Sequence, residues 1–241
     1  MSKNAIVIGA SSGIGFALTR ALLERSFVVG ACSRRLEPLQ ILQQKFSPER
    51  CLLQRMDVTE VAEASCALEV LIGQLSDVQL IILNAGVGHL NLDLDWNLDQ
   101  EVIRTNVLGF TALARVATKY FEQRGEGRLV GISSIGALRG SRHATSYAAS
   151  KAYISNYLEG LNQRFVHAQL PIVATDVQPG LVVTPMSRQL PRRFWVATPQ
   201  KAAEQILDAA EKRRRQVYIT RRWASVAWLC KRIPRSLYLR M

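Results

Sequence analysis

Short runs of consecutive apolar residues alternate along the chain with stretches whose apolar positions recur every three to four residues. "NAIVIG" (4–9), "FVVGACS" (27–33), "RCLLQRMDV" (50–58), "VQLIILNAG" (78–86), "GRLVGISS" (127–134) and "PIVATDVQPG" (171–180) read as buried strands. Between them, helical periodicity covers 13–25, 36–45, about 60–75, about 99–123 and 145–168. Near-continuous apolar strands must be covered on both faces, and alternating helices supply that cover. The pattern predicts an α/β fold, a doubly wound parallel sheet. With no internal repeat and no low-complexity linker, residues 1–220 read as a single domain and 221–241 as an appended basic, amphipathic tail.

A chain of 241 residues, 48% of them hydrophobic, can bury one large core. Cys32, Cys51, Cys66 and Cys230 are scattered, as are His89, His143 and His167, so neither a disulfide framework nor a metal site is expected, and a cytoplasmic setting fits. "AIVIGA" is too short for a secretory signal, and no segment offers the roughly 20 apolar residues of a membrane span. The net charge of +12 is unevenly placed: residues 212–241 hold ten Lys or Arg and no acid, while the rest holds 21 basic and 19 acidic residues. The near-neutral body argues against a nucleic-acid-binding fold, since such a surface spreads along the domain.

Between the first strand and first helix lies "GASSGIG", with Gly9, Gly13 and Gly15 around Ser11, Ser12 and Ile14. Glycines let the backbone turn sharply and approach a pyrophosphate, and the helix amino terminus adds N–H donors and a favourable dipole. A dinucleotide is the ligand this placement suggests. After the second strand, Ser33 stands where an NAD site commonly offers a carboxylate, and Arg34 and Arg35 follow. A guanidinium grips the additional 2′-phosphate that a carboxylate would repel, so NADP(H) is expected ahead of NAD.

In "SYAASK", Tyr147 and Lys151 are four residues apart in a predicted helix. At about 100° per residue they share a face. The spacing alone fits an ordinary surface pair; it also fits a phenol, titrating near pH ~10 when free, whose phenolate an adjacent ammonium would stabilise, and the rest of the chain decides between them.

Taken together, "GASSGIG" (9–15), "DVT" (57–59), "NAG" (84–86), "NVLG" (106–109), "SS" (133–134), "YAASK" (147–151) and "PG" (179–180), in this order and at strand ends, resemble the short-chain dehydrogenase/reductase family in its single-domain branch, with a Rossmann fold. The resemblance covers about residues 4–220. It implies Tyr147 as general acid/base, Lys151 bonding the nicotinamide ribose and lowering the tyrosine pKa, and Ser134 orienting the substrate oxygen. Asn106 would hold a water that links Lys151 to solvent. Ser133 would face the other way, as neighbouring strand residues do. Asp57 and Val58 would lie beside the adenine. Asn84, Ala85 and Gly86 would form the turn under the adenosine ribose. Pro179 and Gly180 would begin the loop past the nicotinamide, with Val182 and Thr184 near its carboxamide and phosphates. Two departures stand out: Ile8 where the family often has Thr, and Leu83 before "NAG" where a second Asn is frequent.

The expected activity is hydride transfer between a carbonyl and a secondary alcohol on a small molecule. An epimerase or dehydratase sharing the Tyr–Lys pair and a non-catalytic NADP sensor are the alternatives. The segment 185–198 is expected to form a flap over the pocket. Apolar residues on more than one face of the helices 99–123 and 145–168, including Val107, Leu113, Tyr153, Tyr157 and Leu161, suggest a homodimer or homotetramer. In the tail, Trp223, Val226, Ala227 and Cys230 recur at helical spacing, and Pro234 should end that helix. The tail either packs on the protein or lies peripherally on an anionic membrane.

Overall fold

A computed structural model describes residues 3–189 and 195–240. Seven strands among them form one sheet in the order β3-β2-β1-β4-β5-β6-β7. They are β1 (Lys3–Ile8), β2 (Phe27–Ser33), β3 (Cys51–Arg55), β4 (Val78–Leu83), β5 (Gly127–Ile132), β6 (Ile172–Pro179) and β7 (Gln216–Ile219). Every neighbouring pair is parallel. Along β1 the side chains alternate between two cores: Ala5 and Val7 join α1 (Gly13–Glu24), α2 (Glu37–Phe46) and α7 (Pro199–Glu211), while Ile6 and Ile8 join α3 (Val61–Leu75), α5 (Phe110–Arg124) and α6 (Thr145–His167). Period-two geometry explains how one apolar run serves both layers.

The chain order reverses between β1 and β4: β2 and β3 extend the sheet to one side, β5 to β7 to the other. In open α/β sheets the crevice at the carboxyl ends of such a pair receives the ligand. Gly9 follows β1 there and Asn84 follows β4. The Asn84 Nδ2 donates to the Gly9 carbonyl at 2.8 Å and ties the two ends together.

Several predicted boundaries change. The strands predicted over 50–58, 78–86 and 127–134 end at Arg55, Leu83 and Ile132, because the chain leaves the sheet to build loops at its carboxyl edge. The helix predicted over 99–123 begins earlier, as α4 (Trp96–Val102) with Asp95 accepting from the Asn97 N–H, and contains a π-helical stretch, Ile103–Gly109, before α5. Residues 199–219, outside the elements the apolar pattern predicts, form α7 and β7. Pro199 opens α7, and the Thr198 hydroxyl caps it by accepting from the Lys201 N–H. Of the apolar residues expected on outer helix faces, Leu113 is in the core, whereas Tyr153 is exposed.

The tail forms α8 (Trp223–Arg232) and α9 (Arg235–Tyr238), broken at Pro234 as expected. Trp223 and Ala227 are buried against the body, whereas Trp228 and Leu229 are exposed. No described helix is long and apolar enough to cross a membrane.

Candidate active site

At the end of β5, Ser133 and Ser134 point apart, as adjacent strand residues should. Ser133 Oγ donates to the buried Asp176 carboxylate on β6 and lies 2.9 Å from the Val177 carbonyl. Ser134 faces the open side, where its hydroxyl accepts from the Gly136 N–H at 3.0 Å, and a Cβ on Gly136 would stand 3.4 Å from that hydroxyl and 3.7 Å from the Tyr147 ring, so the two side chains converge there. The α6 helix thus delivers Tyr147 to Ser134 from thirteen positions further along the chain. The Tyr147 ring lies against Gly88, where a Cβ would stand 2.5 Å from it. Sequence reasoning had not singled out Gly88.

Lys151 is one turn further along α6, with only 4% of its surface exposed. Its Nζ donates to the Ile132 carbonyl at 2.9 Å and lies 5.7 Å from the Tyr147 ring centroid. Asn106 lies in the π-helical stretch, a kind of irregularity frequent at functional sites. Its side chain clasps the Val87 backbone, accepting at 2.9 Å and donating at 2.8 Å, and donates to Ser150 Oγ at 3.0 Å. A Cβ on Gly86 would stand 3.2 Å from Lys151 Nζ and 3.3 Å from Asn106 Oδ1, so the two polar groups converge beneath that glycine.

The electrostatics correct one expectation. Burial raises the Tyr147 phenol above its ordinary pKa, and the Ser134 hydrogen bond offsets only part of that. The net shift is upward, opposite to the lowering expected from Lys151. Burial brings the Lys151 pKa down to about 8, with the Asp176 carboxylate opposing the shift. Asp176 in turn accepts from Ser155 Oγ and Gln178 Nε2, each at 2.6 Å, a buried polar cluster behind the site that sequence reading missed.

The glycine turn is shaped for a close ligand. Gly9 and Gly13 have φ of +84° and +54°, which side chains rarely adopt, and a Cβ on Gly13 would meet Thr184 at 2.9 Å. Ser11, Ser12, Gly13 and Thr184 line a cleft of about 380 Å³ at the amino end of α1. Ile14 packs on the core. This cleft lies at the phosphate turn; Ser134 and Tyr147 do not line it. Arg34 and Arg35 are exposed just beyond β2, while the Ser33 hydroxyl turns back to the Arg35 carbonyl. Asp57 accepts from the Thr59 N–H at 3.0 Å and the Thr59 hydroxyl at 2.8 Å. Burial pushes that carboxyl up, but the Thr59 bonds and the Arg34 and Arg104 charges outweigh it and hold the pKa below the ordinary range. Helix dipole, small side chains, close backbone and basic rim together fit a dinucleotide.

Some expected contributors serve the fold. The side chains of Val58 and Val182 are in the core, and Ala85 packs against it. Gly180, after Pro179, is overlain by Trp223: a Cβ there would meet the indole at 2.1 Å. Of the flap, Leu190, Arg192, Arg193 and Phe194 lie outside the described residues. Trp195 stands edge-on to Trp223, with ring centroids 6.1 Å apart.

A family model described as short chain dehydrogenase matches residues 3–193. An uncharacterized oxidoreductase of Myxococcus xanthus is 33% identical over 163 residues, covering 66% of this chain and 64% of that protein, so the match spans less than two thirds of that relative. A short chain dehydrogenase of Burkholderia cenocepacia, solved in complex with NADP, is 26% identical with a TM-score of 0.84, covering 99% of this chain and 97% of that one. A short chain dehydrogenase/reductase of Burkholderia phymatum in complex with NAD, 19% identical with a TM-score of 0.84 over 95% of this chain and 92% of that one, shares the fold. With the family model matching well over half of its length, this chain belongs to the short chain dehydrogenases and is an NAD(P)-dependent oxidoreductase.

Proposed function

We propose that the protein interconverts a carbonyl and a secondary alcohol on a small molecule, with NADP(H) preferred over NAD(H). The observation that carries this reading is the convergence of the Ser134 hydroxyl and the Tyr147 ring on Gly136, with a buried Lys151 one helical turn beyond the tyrosine. The nicotinamide cofactor, when bound, supplies the hydride to the carbonyl carbon or accepts it from the alcohol. Ser134 donates a hydrogen bond to the substrate oxygen and fixes its position. Tyr147 gives its phenolic proton to that oxygen as negative charge develops there, and takes the proton back in the oxidative direction. The raised phenol pKa keeps Tyr147 protonated at neutral pH, the form that reduction requires. Lys151, buried one turn along α6, would in its charged form hold the nicotinamide ribose, the role the resemblance implies. Asn106 and Ser150 brace the backbone around this pair, and Asp176 favours the charged form of Lys151.

This assignment has a pH signature. Lys151 is charged below its pKa of about 8, so kcat/KM for reduction should hold steady at neutral pH and fall as pH rises through about 8. A profile still flat at pH ~10, where even an ordinary lysine is losing its proton, would count against the role given to Lys151. The substrate for this measurement comes from an NADPH-oxidation screen of ketones, acyl thioesters and sugars.

Cofactor choice rests on Arg34 and Arg35 at the rim and on the absence of a carboxylate at Ser33. The Burkholderia cenocepacia enzyme solved with NADP supports the same preference. NADPH should bind roughly 100-fold more tightly than NADH, the scale of one or two charge-assisted hydrogen bonds, and Arg34→Ala with Arg35→Ala should erase most of that difference. Equal affinities in the unaltered protein, measured by fluorescence titration, would refute the preference.

A further inference from the structure

The C-terminal segment resolves into two faces of opposite character. On α8, Trp223 and Ala227 point inward and are 5% and 1% exposed. About 100° to 200° further around the helix, Trp228 and Leu229 are 58% and 56% exposed, and Leu237 and Leu239 beyond Pro234 are 56% and 74% exposed. Four large apolar side chains thus stand in solvent within twelve residues. The cations are interleaved with them: residues 221–240 carry six Lys or Arg and no acid. The Arg232 guanidinium lies 3.9 Å above the Trp228 ring, a cation–π contact that places a cation and an exposed aromatic on one surface.

We infer that this outer face of α8 and α9 docks the protein peripherally on an anionic lipid bilayer. Charge complementarity selects that occupant. A second copy offering the same segment would set the six cations of residues 221–240 against six more, and like charges brought together oppose association. A nucleic acid would satisfy the cations but give exposed Trp228, Leu229, Leu237 and Leu239 nothing apolar to enter. A bilayer interface satisfies both. The patch has an edge. The Tyr238 hydroxyl donates to the Gly140 carbonyl at 2.5 Å and Arg139 lies over its ring, while His143 accepts from the Asn91 N–H at 2.8 Å. Beyond that segment the loop carries Asp93 and Asp95, which an anionic surface would repel. The tail is not a tether hanging free of the body: α8 packs on residues 135–138, and Trp223 covers Gly180, so docking holds the body itself at the lipid surface.

The test is sedimentation of the full chain with phosphatidylcholine vesicles, with and without phosphatidylglycerol, at low and high salt. Binding is expected only with the anionic lipid, and weaker at high salt. Each cation near such a surface is worth about fivefold in partitioning, so Lys231→Gln, Arg232→Gln and Arg235→Gln together should weaken binding about 100-fold. Trp228→Ser with Leu229→Ser should weaken it about 10-fold through lost apolar insertion, with NADPH affinity and melting temperature unchanged. Full-length protein that stays in the supernatant at low salt overturns the inference. So does binding that Trp228→Ser/Leu229→Ser leaves intact and single-stranded DNA competes away, which would mark a polyanion surface. So does vesicle-independent self-association that the same double substitution abolishes.

Discussion

Tyr147→Phe is expected to cut turnover about 1,000-fold while leaving NADPH affinity within a factor of about two, the signature of a lost proton donor rather than a lost binding group. The substitution removes one oxygen and keeps the ring, and the ring is what packs: it lies against Gly88, where even a Cβ would intrude at 2.5 Å. Ser134 keeps its bond from the Gly136 N–H, so the substrate oxygen still has a donor and residual turnover survives. Lys151→Ala should behave differently. It removes the charge beside the phenol and the buried group that the resemblance places on the cofactor, so both turnover and NADPH affinity fall. Steady-state kinetics on a substrate from the carbonyl screen, with NADPH titrations, separate the two. A Tyr147→Phe enzyme with near-normal turnover would remove Tyr147 from the chemistry.

The elements visible in the sequence were those whose signal is local. Strands β1 to β6 are near-continuous apolar runs, and the glycine turn is contiguous. The overlooked β7 is a four-residue edge strand, "QVYI", with arginines before it, too short to show alternation. The missed α7 does carry a local signal, since Ala202, Ala203, Ile206, Leu207, Ala209 and Ala210 recur at helical spacing behind a Thr198–Pro199 start. The π-helical stretch around Asn106 left no trace, because a local widening barely alters the side-chain period over seven residues.

The site divides in the same way. The spacing of Tyr147 and Lys151 put them on one helix face, and the structure keeps them together. What spacing cannot convey is desolvation, which here raises the phenol and lowers the lysine instead of letting the lysine draw the phenol down. Nor can it convey partners distant in sequence. Asp176 gathers Ser133, Ser155 and Gln178 across β5, α6 and β6, and each of these residues alone reads as an ordinary polar position. The tail shows the limit from the other side. Its helical spacing fitted either packing or a membrane surface, and only the fold divides it into an inner Trp223 and an outer Trp228.

Gly15→Ala is expected to lower the melting temperature by about 10 °C and to weaken NADPH binding at least about 10-fold, although alanine favours helices and Gly15 lies in the first turn of α1. The reason is a three-way junction. A Cβ on Gly15 would stand 2.0 Å from the Gly9 carbonyl oxygen and 2.5 Å from Asn84 Nδ2. Neither can retreat cheaply. The Asn84 side chain is bonded to that same Gly9 oxygen at 2.8 Å, and the Gly9 N–H is held by the Cys32 carbonyl at 2.9 Å. From the other side, the Thr19 hydroxyl holds the Gly15 carbonyl at 2.9 Å. The methyl therefore forces the start of α1 away from the ends of β1 and β4, an overpacking cost of about 3 kcal/mol, and it reshapes the turn that would face the cofactor phosphates. Gly73→Ala is the matched control. Gly73 is exposed within α3, a Cβ there meets nothing within 4 Å, and the gain in helix propensity should raise stability by about 0.5–1 kcal/mol. Thermal denaturation with NADPH titration reads both. A Gly15→Ala protein that melts with the parent and binds NADPH as well would show that α1 can move away from the strand ends at no cost, and the close approach would then explain neither the turn nor its glycine.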